Sequence, residues 1–97
     1  MTKEDFELTR ELLRGHGFTV EGAACDPAHF GSWWVSVAHK PPLRIVWDGK
    51  DGWVVVQRET GERFQGRPVW EDVWIGRDRE TQTVALVVSK VQELSSG

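Results

Sequence analysis

Between residues 31 and 58 the chain passes through three stretches of β-branched and aromatic side chains, 32–39, 43–47 and 53–58, separated by two breakers. Lys40-Pro41-Pro42 divides the first two. Proline has no N–H to give a ladder, so a strand ends there. Asp48-Gly49-Lys50-Asp51-Gly52 divides the second and third, and glycine with aspartate supplies the positive φ of a tight reversal. Strands joined by connections this short pair antiparallel, because a parallel pair needs a crossover of a dozen or more residues. The centre of the chain is therefore read as a meander.

Side chains on a strand alternate between two faces. One face takes Trp33, Val35, Val37 and His39, continued by Leu43, Ile45 and Trp47 or by their neighbours, and the opposite face takes Trp34, Ser36 and Ala38. In the third stretch Trp53, Val55 and Gln57 point one way, and Val54, Val56 and Arg58 the other. Trp34, Val46, Val54 and Val56 make the second face apolar as well. Either both faces are covered, or one keeps an exposed apolar patch that marks a binding site.

The flanks read as helices. Thr2 can cap a helix from Lys3, with Asp5 at the third helical position, Glu4 and Glu7 in the first turns and Arg14 in the last, as capping and the helix dipole favour. Phe6, Thr9, Leu12 and Leu13 form its apolar stripe, and Gly15 or Gly17 ends it. Val84, Val87, Val88, Val91 and Leu94 recur at helical spacing. The stretch 81–94 is accordingly a second helix, capped by Asp78, despite its strand-like composition.

Four connecting segments complete the chain. Residues 18–20 are a short strand or a return segment, and 21–25 a loop of small residues. Asp26-Pro27-Ala28-His29-Phe30-Gly31 reads as one helical turn that delivers Phe30 to the core. Residues 60–68 are a polar loop around Phe64, closed by Pro68. Residues 69–75 are a fourth, edge strand, with Val69, Glu71, Val73 and Ile75 on one side and Trp70, Asp72 and Trp74 on the other. The expected fold is a single α+β domain over residues 1–97: a helix, a three- to four-stranded antiparallel meander, and a helix, with both helices on one sheet face.

Several function classes find little support. Net charge is −3, from 15 acidic and 12 basic residues, without the basic excess that a nucleic-acid-wrapping domain gathers. A lone cysteine, Cys25, rules out an internal disulfide framework. With no cationic leader and no long apolar run, a cytoplasmic location away from membranes is expected.

Cys25 lies four residues before His29 but beside Asp26, which disfavours a thiolate. His16, Cys25, His29 and His39 match no zinc spacing. Glu71 and Asp72, adjacent on a strand, point to opposite faces and make a poor acid–base pair. The 48–52 turn is too short for a calcium loop. No catalytic residue, cofactor or metal is expected.

Six tryptophans in 97 residues, with no tyrosine, are far more than a small domain usually carries, and roughly four of them are expected to be structural. Trp33, Trp47 and Trp53 sit like core or hairpin-flanking residues. Trp34, Trp70 and Trp74 are read as anchors of a partner-binding surface, with Arg63 and Phe64 reaching from the 60–68 loop and Glu71 and Asp72 orienting the partner. The expected role is a protein–protein interaction or self-association module. Two alternatives compete with it. One is an inhibitor of a basic toxin or enzyme. The other is a nucleic-acid binder, since the helix–strands–helix layout resembles that of double-stranded-RNA-binding domains, with no residue motif in common.

Overall fold

The computed structural model describes residues 1–96. Helix α1 (Lys3–Gly15) leads into five strands, β1 (Val20–Asp26), β2 (Ser32–Val37), β3 (Leu43–Asp48), β4 (Trp53–Phe64) and β5 (Arg67–Gly76). A 3-10 turn (Arg79–Thr81) and helix α2 (Val84–Ser96) follow. The strands pair in chain order, every neighbour antiparallel, as one open sheet. Among the described residues no helix is long and apolar enough to cross a membrane.

The first helix forms as its sequence dictates. Thr2 Oγ1 accepts from the Asp5 amide at 3.1 Å, and Asp5 Oδ2 accepts from the Thr2 amide at 2.7 Å, so two otherwise orphaned donors are satisfied at once. Phe6, Thr9 and Leu13 are buried, and the Thr9 hydroxyl donates to the Asp5 carbonyl at 2.7 Å. Gly17, at φ +90°, turns the chain out.

Both helices lie on one sheet face, α1 over β1 and β2, α2 over β3 and β4, and they touch each other. That face carries Trp33, Val35 and Val37 from β2, Leu43, Ile45 and Trp47 from β3, and Val54 and Val56 from β4, all buried. Phe6 and Leu13 of α1 and Val84, Val87, Val88 and Val91 of α2 close over them. Each such side chain contributes about 1.5–3 kcal/mol on burial, which is why the valine periodicity of α2 prevails over its strand-like composition.

Five strands replace the expected three or four. The edge strand β1 takes in Val20, read with 18–19 as a short strand or a return segment, the 21–25 stretch read as a loop of small residues, and Asp26, and it pairs with β2 from Val20↔Val37 to Asp26↔Ser32. Small side chains fit there because a Cβ on Gly22 would already stand 3.1 Å from the Trp34 ring. Residues 60–68 form no loop. Strands β4 and β5 continue past the last β3 pair, Leu43↔Arg58, as a two-stranded ribbon. Gln65 and Gly66, at φ +53° and +79°, make its reversal, the backbone of a type I′ turn.

Asp26-Pro27-Ala28-His29-Phe30-Gly31 is a turn and not a helical one. Asp26 binds the Ala28 amide and His29, and Phe30, at φ +58°, is 68% exposed instead of entering the core. Asp78 opens the 3-10 turn, while Thr83 Oγ1 accepts from Leu86 at the start of α2. Gln82 Nε2 donates to the carbonyls of Gly52 (2.7 Å) and Gly76 (3.1 Å), tying the β3–β4 turn to the end of β5.

Candidate functional site: the open face of the sheet

With both helices on one side, the other face of the sheet has no layer over it. Cross-strand register orders that face into rows, because directly paired residues point the same way. The central row runs Ala24, Trp34, Val46, Val55 and Ile75 across all five strands and is entirely apolar. To one side lies a polar row, Gly22, Ser36, Arg44, Gln57 and Asp72. To the other side lie Asp48 and Trp53 as a pair, with Arg77 over the Trp53 ring.

The polar row is a connected network. Arg44 Nε donates to Gln57 Oε1 at 2.6 Å, and Gln57 Nε2 donates to Asp72 Oδ1 at 2.7 Å. The Arg44 guanidinium also stacks on Trp70, its Cζ 4.2 Å from the ring centre. Partial burial pulls the Arg44 pKa below its ordinary value and Asp72 opposes that; an arginine stays charged at neutral pH under either influence. A second arginine–indole stack, Arg77 Cζ at 5.0 Å from the Trp53 ring, occupies the opposite margin. Trp34 and Trp53 are 38% and 39% exposed, among the large apolar side chains most open to solvent.

Comparison with known proteins finds no matching family model, no curated relative and no solved structure.

The residues singled out from sequence divide among three places. Trp34, Trp70 and Asp72 share the open face. Glu71 and Trp74 do not. β5 holds one extra residue between Trp74, which pairs with Val56, and Asp72, which pairs with Gln57. This bulge at Val73 shifts the alternation, so Trp74 turns to the helix side and packs against the core with Val73. Glu71, also on the helix side, binds Arg58 through Nε (2.9 Å) and Nη2 (2.5 Å). Arg63 and Phe64 belong to the ribbon, where Phe64 pairs with Arg67 and is 68% exposed.

Trp53 and its partner Arg77, with Arg44 and Ile75, were not read as part of this surface, whereas Val46 was placed beside Trp34 and lies there. Trp53 flanks a hairpin as expected but stands on the open side, opposite the core positions of Trp33 and Trp47. The signal available was parity. Trp53 is one residue from Val54, and the 53–56 run is apolar on both sides, so the sequence leaves its direction open. Cys25 pairs with Trp33 on the helix side, half-buried against the core, while the exposed His29 binds Asp26. Among the described residues no three His, Cys, Asp or Glu side chains gather as a metal site would require.

Proposed function

We propose that this domain is a protein-docking module that presents the open face of its sheet, with the β4–β5 ribbon as a second element of the same surface. The observation that carries the reading is the placement of both helices on one side, which leaves the other face without a layer over it: Trp34 and Trp53 stand exposed there beside two arginine–tryptophan stacks, while Val55 of the apolar row is buried among its neighbours. Tryptophan and arginine are the side chains that dominate binding energy at protein interfaces. Stacked as here, they are held in place before a partner arrives, so less rotamer freedom is lost on binding. Nucleic acid fits the surface less well: Asp48, Glu59 and Asp72 share it and would meet phosphates. Exposed Phe64 between Arg63 and Arg67 suits a partner groove with an acidic rim.

The test is site-specific photo-crosslinking in the native cell, with the probe at Ser36 on the open face or at Glu7 on α1. Discrete protein adducts from Ser36 and not from Glu7 support the reading. Adducts only to nucleic acid, or equal labelling from both positions, overturn it.

A further inference from the structure

We infer that a second copy of this chain packs face to face on the open sheet, about a two-fold axis lying along the row Ala24–Trp34–Val46–Val55–Ile75. The inference rests on the docking reading above and names the occupant. A two-fold along that row lays the row on its own image and carries each flanking row onto the opposite one. In β3 the axis passes Val46, so Arg44 of one copy meets Asp48 of the other. In β5 it passes Ile75, so Asp72 meets Arg77. Each contact occurs twice by symmetry, and within the three rows no like charges meet.

The bulge is what permits this. With strict alternation Val73 and not Asp72 would flank Ile75 on the open face, and Arg77 would face no carboxylate. The alternative axis, parallel to the strands through β3, fails on charge. It would set Arg44 against Arg44 and Asp48 against Asp48, and like charges brought together in this way cost several kcal/mol at an interface. Five strands about 4.8 Å apart and three rows about 7 Å apart give a face of roughly 24 by 20 Å, about 500 Å² in plane, the scale of a small interface. Aligned sheets cross at about 30°, a displacement at β5 that a long arginine side chain spans. Glu21 and Asp26 on the β1 edge disfavour the other self-pairing, edge to edge, in the register that sets them opposite each other.

Sedimentation equilibrium across a concentration series tests the inference. The wild-type chain is expected at twice its 11.0 kDa mass. Arg77→Asp and Asp72→Arg, each alone, should weaken the dimer by at least about 10-fold, because each sets like charges together twice. An equimolar mixture of the two variants should dimerise again within about 3-fold of wild type, since both unlike pairs are restored only between them. Circular dichroism checks that each variant folds, and Val46→Glu, which places two carboxylates on the axis, is the fallback and should leave a monomer. A wild-type monomer at concentrations up to about 1 mM, single variants that dimerise undisturbed, or a mixture that stays monomeric overturns the inference. A monomer that still yields Ser36 adducts to another protein overturns self-pairing alone and leaves the docking reading standing.

Discussion

Arg44 on β3 reaches past Gln57 of β4 to cover Trp70 on β5, its Cζ 4.2 Å from the indole centre. One side chain thereby couples three strands on a face that has no helix to hold it. Arg44→Met keeps the aliphatic stem but removes both the stacking charge and the donor to Gln57. The expected loss is about 1–2 kcal/mol, read as a lower urea midpoint at unchanged slope. Arg44→Lys should recover less than half of it, since an ammonium cannot donate from the Nε position while stacking.

The two faces should answer tryptophan substitution differently. Trp33, 1% exposed and packed on Phe6 at 5.7 Å, should cost about 3–5 kcal/mol on replacement by alanine. Trp53→Ala, on the open face, should cost less than about 1.5 kcal/mol, because solvent already reaches the ring. Equal losses in urea titrations would contradict the layer assignment.

Much of the architecture was legible in the residues, and the exceptions have physical causes. The capped α1, the buried set of β2 and the helical valines of α2 all follow from periodicity and capping. β1 was not legible because Gly22-Ala23-Ala24 has little strand preference of its own; it is a strand because β2 offers it a ladder. Trp74 lies on the other side of the sheet from Trp34 and Trp70, which the sequence did not show because a bulge is a property of pairing and leaves no mark in the run 69–75. Phe30 was expected in the core on hydrophobicity alone, yet its backbone is committed to the left-handed region and to close contact with the neighbouring turn.

That contact yields a sharp expectation. A Cβ on Gly49 would stand 2.0 Å from the Phe30 carbonyl oxygen, and the Gly49 amide donates to Ser32 Oγ at 2.9 Å. Gly49→Ala must drive two turns apart, at a cost above about 2 kcal/mol. Gly66→Asn, where nothing lies within 4 Å of the added Cβ and φ is +79°, should stay within about 1 kcal/mol. Thermal melts of the two variants make the comparison.

The ribbon separates from the core in the same manner. Residues 60–68 are all exposed, so replacing 60–69 by an Asn-Gly reversal between Glu59 and Trp70 should shift stability by no more than about 1 kcal/mol. Cross-linking from the open face should nonetheless change if Phe64 takes part in docking. Unfolding of the truncated chain would show that the ribbon supports the sheet.

A single thickness of backbone stands between the residues that keep this molecule in shape and those it shows to the outside. Mutational drift on the outer side can alter the exposed side chains with little threat to folding. On the inner side it threatens folding while leaving the displayed chemistry alone. Such a chain can change the chemistry of its outer face faster than it changes its form.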